Sequence, residues 1–275
     1  MSSEVMPMKL IDFFEEHPVF TVGELSQYLS KRGPRDPWNR KKLLDHHRKQ
    51  GRIVSVRRGL YAVVPSGTTP EHSPVDPYLV AAKMADDSVL CCHTALEFYG
   101  KAYSVYNRFH YFSRSRPVTL RFRSYEFRRV AFPKSLLDVG KETFEVKVAE
   151  RLGLDVKVTS FERTLVDVLH RPHLVGSWEE IWRSLESIEF FNLNAVVDYA
   201  LLLGNATTVS KVGFFLEQHR ETLMVSDEHL QRLWKHRPQK PHYMVRSERK
   251  LGRFIDKWNL VVPLEILTRS WMETL

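Results

Sequence analysis

TVGELSQYLSKRGPRDPWNRKKLLDHHRKQGRIVSVRRGLYAVVP, Thr21 to Pro65, is the stretch that decides the fold. It opens with a capping-box pattern, in which the Thr21 hydroxyl and the Glu24 carboxylate cap each other's backbone N–H at the start of a helix. After a short turn, Asp36 and the following proline predict the start of a second helix, because aspartate favours the N-cap and proline the first helical position. Two short helices joined by a turn are typical of a helix-turn-helix.

The second of these helices is predicted over residues 37–50 and is strongly basic on one side. Leu43, Leu44 and His47 fall at the spacing of a core-facing stripe. The polar side chains fall on the other face, as they do in a recognition helix, where side chains contact base edges and flanking cations hold phosphates.

A β-hairpin is predicted directly after this helix, because residues 53–56 and 60–64 are rich in β-branched residues and are joined through Arg57, Arg58 and Gly59. A basic hairpin after two helices is the wing of a winged helix-turn-helix, and residues 1–65 are therefore predicted to bind duplex DNA. Arginines at a wing tip suit a narrow, electronegative groove. The predicted DNA contacts are Trp38, Asn39, Arg40, Lys41, Lys42, Asp45, Arg48, Arg52, Arg57 and Arg58.

Charge is segregated along the chain, which carries a net charge of +8. Residues 31–58 hold eleven lysines or arginines against two aspartates, and residues 101–134 hold nine against one glutamate. Clustered cations build a field that attracts a polyanion and displaces its counterions, although a single run of charge is as often a solvated face. The second cluster includes a possible basic patch for phosphate or an acidic partner, made by Arg108, Arg114, Arg116, Arg121, Arg123, Arg128 and Arg129.

The rest of the chain predicts a larger second domain, and the overall fold class is α+β. Residues 66–77, rich in proline, serine and threonine, are the predicted linker, and residues 78–275 the second domain. An apolar run over residues 89–99 predicts a helix there. Period-two alternation over residues 102–159 predicts a mainly antiparallel sheet whose alternating aromatic residues face the core, and the last third is predicted to be mainly helical.

Enzymatic chemistry is weakly indicated, and no catalytic residue, cofactor or metal is predicted. Glu145 and Lys147, and again Asp155 and Lys157, have the acid-x-Lys spacing of metal-dependent nucleases, which makes a nuclease delivered by the winged helix the alternative function. The only two cysteines are adjacent, which excludes an intrachain disulfide framework and suits a reducing cytoplasm. No apolar run has the length of a membrane span and no secretory signal is present, so a cytoplasmic location is expected.

Two segments together resemble a known family: RRGLYAVVP at the end of the hairpin, and DVKVTSFERTLVDVLHRPHLVGSWEEIW from residue 155. They are similar to the AbiEi antitoxins of type IV toxin-antitoxin systems, which defend bacteria against phage. The resemblance implies a transcriptional autorepressor that binds inverted repeats in its own promoter as a monomer or weak dimer, cooperatively. It also implies that the second domain counteracts a nucleotidyltransferase-like toxin without a stable complex. Glu162, Arg163 and Asp167 match the family motif and are predicted to form a structural ion-pair network.

Overall fold

The computed structural model describes residues 10–31, 37–245 and 252–272, with the backbone alone for residues 37–39 and 272. The first part of the chain has three helices and a three-stranded antiparallel sheet with the strand order β1-β3-β2. In chain order its elements are α1 (Leu10–Glu16), β1 (Val19–Thr21), α2 (Val22–Ser30), α3 (Pro37–Lys49), β2 (Ile53–Arg57) and β3 (Leu60–Val63).

The predicted capping box is present at the start of α2. The Glu24 carboxylate accepts from the Thr21 backbone N–H at 2.7 Å, and the Thr21 hydroxyl accepts from the Glu24 N–H at 3.2 Å. The hairpin is also as predicted, with its turn at residues 58–59. The glycine of that turn has φ +83°, a conformation that costs glycine little because it has no Cβ. The predicted helix start at Asp36 lies outside the described residues.

The second part contains a six-stranded sheet with the order β6-β7-β5-β4-β9-β8, packed against helices. Its strands are β4 (Val89–Leu90), β5 (Arg108–Phe112), β6 (Thr119–Phe122), β7 (Tyr125–Val130), β8 (Val146–Arg151) and β9 (Leu154–Thr159). Its helices are α4 (Pro77–Ala82), α5 (His93–Phe98), α6 (Lys134–Asp138), α7 (Phe161–His170), α8 (Trp178–Glu186), α9 (Leu193–Leu202), α10 (Ala206–Gln218), α11 (Asp227–Trp234) and α12 (Leu264–Thr268).

The sheet is mainly antiparallel, as predicted, but it also contains parallel pairs that were not predicted. Three strand pairs are antiparallel, but β4 runs parallel to β9 and β5 runs parallel to β7. Alternation fixes which side chains face the core, but it carries no information about the neighbouring strand or its direction. Likewise, the run at residues 89–99 forms a short strand and then a helix. Three further strands, β10 (His242–Tyr243), β11 (Gly252–Ile255) and β12 (Leu260–Pro263), form a separate small sheet.

The two parts share a hydrophobic cluster across the predicted boundary. Residues 64–76, all of which are described, contain turns and no helix or strand. Nevertheless Val56 and Leu60 of the hairpin pack in one buried cluster with Leu79 and Val80 of α4 and with the large sheet. Two polar contacts also join these surfaces: Arg57 donates to the Met84 carbonyl oxygen, and Glu24 of α2 pairs with Lys83 just after α4. Within the described ranges, no helix is long and apolar enough to cross a membrane.

Candidate nucleic-acid interface

Helix α3 is held in place by one face and exposes the other. Leu44 is buried, and His47 is buried edge-on against the ring of Phe14, with centroids 5.1 Å apart. Burial lowers the pKa of His47, and the nearby charges of Arg52 and His46 lower it further, so the imidazole is neutral at physiological pH. A neutral, packed histidine anchors the helix to the core and leaves the remaining side chains for contact with a ligand.

The opposite face of α3 is cationic. The ammonium and guanidinium groups of Lys41, Lys42, Arg48 and Lys49 are exposed, and residues 37–58 include a single acid, Asp45. That carboxylate pairs with Arg48 at 3.2 Å, and both side chains are about half exposed. An exposed pair of this kind contributes little to stability, so both groups remain available to a partner. Trp38 and Asn39 begin the helix, and their side chains lie outside the described residues.

Two predicted contact residues point into the protein instead of towards a ligand. Arg40 donates to the hydroxyl of Ser26 and so connects α3 to α2. Arg57, expected at the wing tip, turns inwards and donates from Nη2 to the Met84 carbonyl oxygen at 2.5 Å. Arg57 ends β2 just after an irregularity in the strand register between Ser55 and Arg57, and here the hairpin lies against the chain that follows α4.

Arg52 and Arg58 are exposed at the two ends of the hairpin. Arg58 occupies the turn itself. Apart from the inward Arg40 and Arg57, the charged side chains of α3 and the hairpin that are at least partly exposed are Lys41, Lys42, Asp45, Arg48, Lys49, Arg52 and Arg58.

The predicted second basic patch is divided into two kinds of arginine. Three of them surround one carboxylate: Arg108 and Arg121 lie opposite Glu126 in neighbouring strands, at 3.3 and 3.1 Å, and Arg128 pairs with it from the same strand. The hydrogen bond from Arg128 lowers the pKa of Glu126, as does the one from Arg121, although desolvation opposes them. This carboxylate is therefore ionised, and the cluster keeps an excess of positive charge.

The other arginines of that patch are dispersed. Arg123 donates to the backbone of residues 70 and 73, and Arg129 donates twice to the Ser115 carbonyl, at 2.8 and 2.6 Å. Arg114 pairs with Glu142, and Arg116 is exposed. The structure therefore reduces the patch to one cluster around Glu126, which we call the Glu126 arginine cluster.

The TSFERTLVD segment forms the start of α7, and its charged pair is internal. Arg163 and Asp167 are buried 3.4 Å apart, and the Tyr199 hydroxyl donates to Asp167 at 2.8 Å. Burial raises the pKa of Asp167, while Arg163 opposes that shift. Arg163 also donates to the carbonyls of residues 142 and 144, both at 2.7 Å, and Glu162 accepts from a backbone N–H at residue 192. These contacts tie separate segments of the fold together.

The acid-x-Lys motifs and the cysteines do not come together in one site. Lys147 pairs with a buried position of β9 in the register, whereas Lys157 pairs with the exposed Val148, so the two acid-x-Lys motifs lie on opposite faces of the sheet. Within the described ranges, no three His, Cys, Asp or Glu side chains are grouped as metal ligands would be. Cys91 and Cys92 are fully buried, and burial raises the pKa of the Cys91 thiol.

Sequence reasoning missed a buried polar group between α5 and α8. His93 lies 3.0 Å from Glu180 and 3.5 Å from Glu97, and all three are buried. Burial alone would raise the pKa of Glu180, but hydrogen bonds from His93 and Ser104 outweigh it and lower that pKa to about 2. The His93 to Glu97 spacing is the only local signal for this group, because Glu180 comes from a distant part of the sequence.

No protein-family model matches the chain, and no curated protein matches it. Among solved structures, the chain is similar to the crystal structure of the RV2827C protein from Mycobacterium tuberculosis, with a TM-score of 0.60. The two chains are 17% identical, and the match covers 96% of this chain and 94% of the other. At this level of identity the similarity concerns the fold.

Proposed function

We propose that this chain is a sequence-specific DNA-binding autorepressor and antitoxin whose residues 1–65 form a winged helix-turn-helix. The observation that carries the DNA-binding part is the exposed cationic face of α3, together with the exposed Arg58 in the turn of the hairpin. A helix anchored by Leu44 and His47, with a row of lysines and arginines on its free face, has the layout of a helix that enters the major groove. The hairpin then reaches the adjacent groove or backbone.

The positive charge of such a surface attracts the phosphate backbone of DNA of any base sequence. Lys41 and Lys49 suit phosphate contacts, because an ammonium is a compact point charge. Arg48 and Arg58 each have a planar guanidinium, whose paired N–H donors match the acceptors of guanine. Release of condensed counterions makes phosphate contacts strongly salt-dependent. If about six phosphates are neutralised, the plot of log affinity against log salt has a slope on the order of −5.

The test is binding of the full chain to DNA from its own promoter, measured by fluorescence anisotropy over a range of salt concentrations. The double variant Lys41→Ala, Lys49→Ala should weaken binding to all sequences and reduce the slope by about 2, since each phosphate contact contributes about 1. The matched control is Lys235→Ala with Lys240→Ala, two exposed lysines far along the chain, which removes the same charge. An equal effect of both double variants, or no salt dependence, would refute the assignment.

The antitoxin role rests on the family resemblance of the RRGLYAVVP and TSFERTLVD segments, and it belongs to the second part of the chain. We propose that a nucleotidyltransferase-like toxin is encoded in the same operon and that this chain counteracts it without forming a stable complex. The full chain carrying Lys41→Ala and Lys49→Ala should still rescue growth when it is co-expressed with that toxin. Loss of rescue in this variant, or failure of the unaltered chain to rescue, would contradict the proposal.

A further inference from the structure

A cavity of about 490 Å³ lies beside the Glu126 arginine cluster, between the large sheet and the segment that precedes α8. Arg108 and Glu126 line one side of it, with Ser124 from the turn between β6 and β7. Tyr106 and Gly176 also line it. This volume is in the range of small-molecule sites and larger than a bare inorganic ion requires.

Guanidinium donors exceed carboxylate acceptors at this cavity. Glu126 Oε1 faces Arg108 and Arg128, and its Oε2 faces Arg121, so a single carboxylate is shared by three cations. Arg108 uses its Nε for this contact, and no described residue accepts from its terminal NH₂ groups. Because each guanidinium has five N–H donors, the cluster retains donors and positive charge on the cavity side.

His110 adds a neutral polar group to the wall. It is 2% exposed, and its Nδ1 has no hydrogen-bond partner among the described residues. Burial lowers the pKa of His110 to about 4, and the charges of Arg108 and Arg128 contribute to the shift. A buried ring nitrogen without a partner is costly, so a bound polar group that hydrogen-bonds it is stabilised.

The lining also contains an aromatic ring, that of Tyr106. This ring stacks on His93 with centroids 4.2 Å apart, and the Tyr106 backbone N–H donates to Glu97. The Tyr106 hydroxyl lies so close to Gly176 that a Cβ there would be 2.8 Å from it. An aromatic ring and guanidinium groups at one cavity suit a molecule with an apolar ring at one end and an anion at the other.

We propose that this cavity binds a small organic phosphate monoester, whose phosphate is held by Arg108 and hydrogen-bonded by Ser124 and His110. A guanidinium matches the geometry of phosphate oxygens with paired N–H donors, and an additional positive charge from the arginines that share Glu126 strengthens the attraction. The phosphate of a nucleic-acid backbone has the same chemistry, so the test must separate a free monoester from a polynucleotide. The site is separate from α3, and the inference is independent of the proposed repressor function.

Phenyl phosphate is the probe, titrated into the full chain by isothermal titration calorimetry at constant ionic strength, with a short oligothymidylate as the polynucleotide arm. We expect saturable one-to-one binding of phenyl phosphate. Arg108→Gln should weaken it about tenfold or more, because a charge-assisted hydrogen bond is lost. Arg116→Gln is the matched control, as it removes one exposed arginine outside the cavity, and it should change the affinity less than about twofold.

Ser124→Ala is the second variant, because Ser124 is exposed and its loss leaves the arginine cluster intact. It should weaken phenyl phosphate binding about tenfold, as expected for one hydrogen bond to a charged group. The proposal is overturned if phenyl phosphate does not bind saturably, or if Arg108→Gln and Arg116→Gln have equal effects. It is also overturned if oligothymidylate alone binds and Arg108→Gln abolishes that binding, which would assign the site to a polynucleotide.

Discussion

Two adjacent arginines at the hairpin are expected to have opposite roles, and substituting each by alanine tests the geometry of the proposed DNA-binding module. Arg57 donates to the Met84 carbonyl at 2.5 Å, whereas Arg58 is exposed in the turn. A hydrogen bond from a charged donor contributes about 1.5 to 3 kcal/mol. The Arg57 Nε is buried without a partner among the described residues, and removing it relieves about 1 kcal/mol of desolvation.

Arg57→Ala should therefore lower the free energy of unfolding by about 1 to 2 kcal/mol, with almost no change in the DNA affinity of the folded protein. Arg58→Ala should leave stability within about 0.5 kcal/mol and weaken operator binding by about 1 to 3 kcal/mol. Urea unfolding followed by tryptophan fluorescence gives the first quantity, and anisotropy with promoter DNA at fixed salt gives the second. Loss of DNA affinity without loss of stability in Arg57→Ala would refute the inward orientation of that side chain.

Three further expectations concern the second part of the chain. Gly213→Ala should destabilise the protein by about 1 to 3 kcal/mol in urea unfolding, although alanine normally favours a helix, because the new Cβ would lie 2.2 Å from a ring carbon of Trp258. Asp167→Ala should cost about 3 to 5 kcal/mol in the same assay, since it leaves Arg163 buried and unpaired. Burial lowers the pKa of His170 to about 4, so the folded state binds a proton less readily than the unfolded state. The free energy of unfolding should consequently fall as the pH drops from about 6.5 to about 4, and His170→Gln should flatten that slope.

Local signals in the sequence predicted the helix starts and the hairpin well. The capping box at Thr21 and Glu24 and the hairpin are both present, because each depends on residues that are close together in the chain. The run at residues 89–99 failed as a single helix. Cys92 there has φ +55°, a backbone conformation that interrupts a helix and that side-chain hydrophobicity does not reveal.

Features that depend on residues far apart in the chain could not be predicted from the sequence. Leu90 pairs in parallel with Val158, and no local pattern specifies that pairing. The same limit applies to the candidate sites. Nothing in RRG distinguishes the inward Arg57 from the outward Arg58 until α4 is placed against the hairpin, and the gathering of arginines around Glu126 requires the register of three strands.

The hydrophobic cluster shared by the hairpin and α4 leads us to a final prediction, about the cooperativity of unfolding. Leu60 is 1% exposed and packs with Val56 of the hairpin and with Leu79 of α4, while Glu24 of α2 pairs with Lys83 just after α4. Leu60→Ala removes contacts on both sides of the predicted linker, and a buried leucine truncated to alanine costs about 2 to 5 kcal/mol.

If the two parts unfold as one unit, the unfolding transition reported by the tryptophans of α8 should move to a lower urea concentration with its slope unchanged. If they unfold separately, that transition stays in place and an earlier one appears in far-UV circular dichroism, which would contradict a common core. The result decides whether the cationic face of α3 is held in a fixed orientation on the second part or is carried on an independent domain.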